Sequence, residues 1–141
     1  MYHYFGAVLF NDAGEVLLRR PAAGDERGSW TFAERQGDEF HTPEETALEA
    51  VVEQIGYNCR LLGTVPGTFA HGNDFTEFFF MTPVGEQQPF LPELTGAIAW
   101  FSPDDASMRI GEGGSGLRRQ RDLDVLASAI AEYEAKLARH W

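Results

Sequence analysis

The stretch from Thr42 to Gly56, TPEETALEAVVEQIG, leaves the chain around it little freedom. Thr42 can accept a hydrogen bond at a helix N-cap, and Pro43 has the fixed φ that suits the first helical position. Glu45, three residues after the cap, completes a capping box. These signals predict a helix from Pro43 to Ile55 that stops at Gly56, a residue free to take left-handed backbone. Ala47, Leu48, Val51, Val52 and Ile55 share one apolar stripe, so the helix needs a sheet to lie on.

The flanking segments supply strands for such a sheet. Tyr4 to Phe10 reads as a buried strand, and Asn11-Asp12-Ala13-Gly14 as a turn into Glu15–Arg20, which together predict a hairpin ending in LLRRP. Arg19 and Arg20 read as a solvated strand end, the usual meaning of paired charges. Ala22 to Arg27 is a polar loop. After the helix, Arg60 to Ala70 reads as a strand interrupted at Pro66-Gly67. His71 to Asp74 makes a turn, and Phe75–Thr82 returns antiparallel. Phe78-Phe79-Phe80-Met81 lacks alternation, which predicts cover on both faces. Gly85–Pro92 is a loop, Ala97–Phe101 a strand, and Ser102-Pro103-Asp104-Asp105 opens a short capped helix. From Leu117 onward, Leu123, Leu126, Ile130, Tyr133 and Leu137 follow helical spacing and predict a C-terminal helix packed on the sheet. The glycine-rich GEGGSG (111–116) lacks the Lys-Ser/Thr that a phosphate loop carries next and reads as a flexible connection.

A strand-like Ser29-Trp30-Thr31-Phe32, a polar loop, the capped helix and a closing Gly56-Tyr57 resemble, in this order, the Nudix hydrolase family. That family's box is G-x5-E-x7-R-E-U-x-E-E-x-G-U, U being aliphatic or aromatic. Trp30 and Phe32 after Gly28, and the late Trp100-Phe101 strand, match the family as well. Anchored on Gly56 and Tyr57, the box puts its opening glycine at Arg35 and its first glutamate at His41. Its Arg-Glu pair falls on Glu49 and Ala50, and its final carboxylate pair on Glu53 and Gln54. The scaffold positions match while most of the chemical ones do not.

The resemblance implies an α/β fold, an α/β/α sandwich with a central mixed sheet, spanning 1–141 as one domain. It also implies hydrolysis of a phosphoanhydride in a nucleoside-diphosphate-linked small molecule, with Mg²⁺ or Mn²⁺ held on the box helix. On a helical wheel at roughly 100° per residue, with Glu49 at zero, Ala50 and Gln54 lie near 100° and 140°. This is the family's metal-facing sector, and it flanks the apolar stripe. Glu53 is its one ionisable carboxylate, at the edge. Glu45, Glu49 and Glu53 make an acidic stripe about a quarter turn away, which in isolation reads as a solvated face.

The expected outcome is impaired or altered metal use. Glu53 and Glu49 are the candidate catalytic residues, and Glu53, Glu49 and His41 the candidate metal ligands. A metal shifted toward His41 with Asp38 suits Mn²⁺ or Zn²⁺ better than Mg²⁺. Arg20 and Arg35 are the candidate substrate-binding residues, and Glu77 or Glu93 could supply a carboxylate from outside the box. The alternative is a non-catalytic module that binds a nucleotide or related anion. A purely structural role has no positive feature in its favour.

The formal charge of −11 argues against a general nucleic-acid binder and against anchoring on anionic membranes. A local arginine pocket can still hold a small phosphorylated molecule, and basic residues do cluster at Arg118, Arg119 and Arg121. No stretch approaches a membrane span, and MYHYFGAVLF lacks the charged start of a signal peptide. One cysteine, Cys59, rules out an internal disulfide and reads as a small buried hydrophobe, so a cytoplasmic setting is expected. The oligomeric state leaves no trace in the sequence.

Overall fold

Adjacent residues of the central strands belong to different hydrophobic cores in the computed structural model, which describes residues 2–23, 29–113 and 116–139. On β1 (His3–Leu9), Ala7 and Leu9 join one core while Val8 and the following Phe10 join another. On β6 (Asp74–Val84), Phe79 and Met81 face one way, Phe78 and Phe80 the other. Strand geometry sends successive side chains to opposite faces, so the unbroken apolar run requires cover on both. The first core is closed by Ala47, Ala50, Val51 and Ile55 from α1 (Pro43–Gln54) and its C-cap. Closing the second are Ala106 and Ile110 of α2 (Pro103–Gly111) with Val125, Leu126 and Ala129 of α3 (Gly116–Ala138).

The sheet between these layers is mixed. β3 (Ala33–Gln36) pairs antiparallel with β1, β1 runs parallel to β6, and β4 (Asn58–Thr64) closes the other edge antiparallel to β6. The short β5 (Phe69–His71) returns into the start of β6. The expected α/β/α sandwich with a central mixed sheet is therefore the observed architecture.

The predicted hairpin is not formed as such. The turn exists, with Asn11 Oδ1 accepting from the amides of Ala13 and Glu15. Beyond the single bridge Phe10–Val16, however, β2 (Val16–Pro21) leaves β1 and pairs with β7 (Thr95–Phe101) in a separate two-stranded sheet. β1 already has partners on both edges, so its neighbour in sequence must find hydrogen bonds elsewhere.

The helix signals act as read. Thr42 Oγ1 accepts from the Glu45 amide while the Glu45 carboxylate accepts from the Thr42 amide, a reciprocal cap worth about 1 kcal/mol. At the other end Gly56 has φ +86, and a Cβ there would come within 2.0 Å of the Gln88 carbonyl oxygen. The 85–92 loop presses on the helix end because it satisfies it: the Gln88 amide donates to Gly56 O and Gln87 Nε2 to Ile55 O. The apolar stripe is rotated from the one expected. Val52 is 44% exposed, and Ala50 takes a fully buried place instead. At the C-terminal helix Leu137 is likewise exposed, while Arg121 and Asp122 are buried.

No helix among the described residues is long and apolar enough to cross a membrane. Cys59 packs at the edge of the α1 core, and burial pushes its thiol up to about 12, consistent with an inert hydrophobe. Arg19 corrects a further expectation. Far from a solvated strand end, it is buried and donates to Thr95 Oγ1 and to the Leu94 carbonyl, anchoring β2 to the start of β7. Burial pulls its pKa down to about 10, which leaves it charged at neutral pH.

Candidate functional site

The site is built on one strand and one helix. β3 carries Glu34 and Arg35 side by side, and strand alternation sends them to opposite faces of the sheet. Arg35 reaches α1: its Nη1 lies 2.5 Å from Glu49 Oε2 and 3.1 Å from Glu53 Oε1. The loop between strand and helix is held by Asp38, whose Oδ1 accepts from the Phe40 and His41 amides. The Asp38 carboxylate also pairs with His41 Nδ1 at 2.9 Å, while His41 Nε2 lies 3.3 Å from Glu49 Oε1. An imidazole can donate to two carboxylates only as the imidazolium. Accordingly the hydrogen bond to Asp38 raises the His41 pKa and lowers that of Asp38.

Glu49, Glu53, His41 and Arg35 thus converge, around a guanidinium and an imidazolium supplied by the chain itself. The neighbouring sector is closed. Ala50 has no exposed surface, Thr46 turns its hydroxyl back to Thr42 O, and Gln54 Nε2 donates to the Glu34 carbonyl at 2.8 Å. The helical wheel expects Ala50 and Gln54 to flank the core; instead Ala50 sits within it and Gln54 is buried, tied to the Glu34 carbonyl of β3.

This donor set does not fit a divalent cation. Among the described residues, the buried oxygens without a hydrogen-bond partner are Gln54 Oε1 and Glu34 Oε2, the second ion-paired with Arg121, and the two nearby carboxylates are already neutralised by Arg35. Among the described residues no three His, Cys, Asp or Glu side chains come together as metal ligands. Mg²⁺ wants several anionic oxygens to offset the water it gives up, and the box presents none that is uncompensated.

On the other face, Glu34 enters a network that the sequence did not disclose. Arg121 Nη1 lies 2.9 Å from Glu34 Oε2, and Arg118 Nη2 lies 3.3 Å from Glu34 Oε1. Arg121 also donates through Nε and Nη2 to Asp122 Oδ1 and through Nη1 to Thr76 Oγ1, while Thr31 Oγ1 donates to Asp122 Oδ2. Burial would lower the Arg121 pKa, but the carboxylates of Glu34 and Asp122 outweigh it and raise it. Beside this network opens a polar cavity of about 300 Å³, walled by Tyr4, Glu34, Asp74, Thr76, Arg118 and Arg121. The available signal was the i, i+3 spacing of Arg118 and Arg121, which puts both on one helix face.

The remaining candidates lie apart. Arg20 is exposed at the end of β2, its guanidinium 5.1 Å from the centre of the Trp30 ring. Glu77 pairs with His3 at 3.3 Å, and Glu93 is exposed. Of GEGGSG, residues 114 and 115 lie outside the described residues, as do 24–28 in the polar loop before Trp30.

The chain belongs to the NUDIX domain family, whose model matches residues 3–120. Similar solved structures share the fold at low identity. The E. coli ORF135 protein is 21% identical with a TM-score of 0.68, the match covering 96% of this chain and 92% of that one. A NUDIX hydrolase from Nitrosomonas europaea is 15% identical with a TM-score of 0.72, over 95% and 88%. A UDP-X diphosphatase is 15% identical with a TM-score of 0.67, over 94% of this chain and 64% of that one. Among curated proteins, none matches the chain significantly.

Proposed function

We propose that this protein binds a phosphorylated small molecule of the nucleoside-diphosphate-linked class in a cytoplasmic setting, and that hydrolysis of its phosphoanhydride through a box metal is impaired. The observation that carries the reading is Arg35, in contact with both Glu49 and Glu53 where the family's opening glycine stands. A fixed cation there competes directly with Mg²⁺ or Mn²⁺, so metal affinity is weak. Glu49 and Glu53 serve as ligands or bases only when Arg35 withdraws.

Binding falls to the polar cavity on the other face of β3. Arg118 offers N–H donors to phosphate oxygens and Asp74 an acceptor to hydroxyl or amide groups of the linked moiety, while Arg121 and Glu34, engaged with each other, fix the wall. At about 300 Å³ the cavity takes one end of such a molecule, with the remainder in solvent. A structurally similar protein is a UDP-X diphosphatase, which supports UDP-linked compounds as the first ligands to try.

The test pairs thermal-shift measurements on UDP-sugars with phosphate-release assays in Mg²⁺ or Mn²⁺. Stabilisation by the ligand with slow or absent turnover is expected, and Arg35→Ala should raise Mn²⁺ affinity in calorimetry by about tenfold or more. Binding with no release at all selects the non-catalytic module. Efficient Mg²⁺-dependent turnover in the parent, unchanged in Arg35→Ala, would sink the reading.

A further inference from the structure

At the sheet edge opposite the box loop, β4, β6 and the last turns of α3 enclose a cavity of about 420 Å³, larger than the one beside Arg121. Its cations are Arg60, from the edge strand, and Lys136, the single lysine of the chain. Arg35, Arg109, Arg118 and Arg121 each have a carboxylate within ion-pair distance. Arg60 and Lys136 have none among the described residues, which is true also of Arg19, Arg20, Arg119 and Arg139; what sets these two apart is that they line one cavity. Two like charges facing one concavity repel each other, and a bound anion between them removes that penalty.

Part of the lining is apolar and held in place. Tyr133 stacks flat on Phe10, with ring centres 4.2 Å apart and planes 2° apart, and its hydroxyl donates to the Asn11 carbonyl at 3.3 Å. Leu61, Leu62 and Leu137 add to the apolar lining, and Asp12 and Thr82 line the cavity as well. Two unpaired donors beside a rigid aromatic wall, in a cavity of this volume, have the make-up of a small-molecule site.

We infer that this cavity is a second ligand site, independent of the box, for a small organic anion with an apolar body. The anionic group, a carboxylate or phosphate monoester, lies between Arg60 and Lys136; the body lies on Tyr133 and Leu62. Asp12, in the same lining, repels a second anionic group, which limits the ligand to one charged end.

Amide NMR titration of the full chain tests this, with phenyl phosphate, benzoate, inorganic phosphate and benzylamine as probes. Saturable shifts centred on residues 60–62, 82 and 133–137 are expected from phenyl phosphate or benzoate, and the tighter of the two identifies the head group. Inorganic phosphate, which lacks the apolar body, should bind at least about tenfold more weakly, and benzylamine should shift nothing. Arg60→Glu and Lys136→Glu should each weaken the better probe by at least about tenfold while the spectrum stays that of the folded protein. As a readout on the unaltered chain, the same probe should slow acylation of Lys136 Nζ to a saturable limit. Shifts that never saturate, shifts centred on Arg118 and Arg121, affinity unchanged in both folded variants, or acylation indifferent to the probe would each overturn the site.

Discussion

Arg35 and Arg121 are each held by two carboxylates, Glu49 and Glu53 for one, Glu34 and Asp122 for the other. The side chain of Arg35 is 32% exposed and that of Arg121 is 2% exposed. Water screens the first cluster and competes for its hydrogen bonds, so its members can part at little cost. The second has no water to fall back on, and its charges are bound to one another by the cost of leaving any of them alone. The same ion-pair chemistry therefore does two jobs in this protein. Around Arg35 it controls what else can occupy the box helix. Around Arg121 it locks α3 to β3 and shapes the polar cavity.

The largest expected difference lies between the two arginines. Arg121→Ala leaves Asp122 buried without a cation and Glu34 with Arg118 alone, and should cost about 3–5 kcal/mol in urea denaturation. Arg35→Ala should cost at most about 1 kcal/mol. Equal losses would erase the distinction between the clusters.

Next in size is the attempt to rebuild the family's ligand set. Read from the helical wheel alone, Ala50→Glu with Gln54→Glu is a surface change costing at most about 1 kcal/mol. Ala50 has no exposed surface and Gln54 only 9%, so the double variant should instead lose about 2–4 kcal/mol without metal. Part of that loss should return in millimolar Mn²⁺. A double variant as stable as the parent in metal-free buffer would show that this sector opens more easily than its packing implies.

The smallest effect sharpens the exposed side of the comparison. His41 has its pKa raised above 6.5 in the folded chain, so its contribution is full below 6.5 and is lost as pH rises through the raised value. Asp38 has its pKa lowered from 3.8, so its contribution holds above 3.8 and is lost as pH falls through the lowered value. The melting-temperature advantage of the parent over His41→Gln should therefore be greatest in mildly acidic buffer and vanish in alkaline buffer. An advantage that is flat across this range would mean that the imidazolium bridge contributes nothing.

Legibility followed the range of the interaction. The capping box spans three residues, and the reversal at Gly56 is a property of one. Both are visible in sequence because local hydrogen bonding and steric freedom produce them. Arg35 could be singled out as a cation in place of a glycine, and His41, Glu49 and Glu53 as candidate ligands, because all four lie within one loop and one helix; that Arg35 contacts Glu49 and Glu53 is visible only in the structure. The Glu34 network could not. Its partners lie 84 to 91 positions apart in pairs such as Arg118–Glu34 and Thr31–Asp122, and no local pattern encodes which helix face meets which strand.

By itself, then, the sequence determined the capped helix, the strand buried on both faces and the layered fold. Each of these rests on periodicity or on residues within a turn or two of one another. Tertiary structure alone decided that β2 deserts β1 for β7, that Arg19 is buried, and that Val52 faces water while Ala50 does not. It also decided that Arg35 spends its charge on Glu49 and Glu53. The reason is competition: a strand edge, an apolar stripe or a guanidinium has several acceptable partners in sequence, and packing the whole chain leaves room for one.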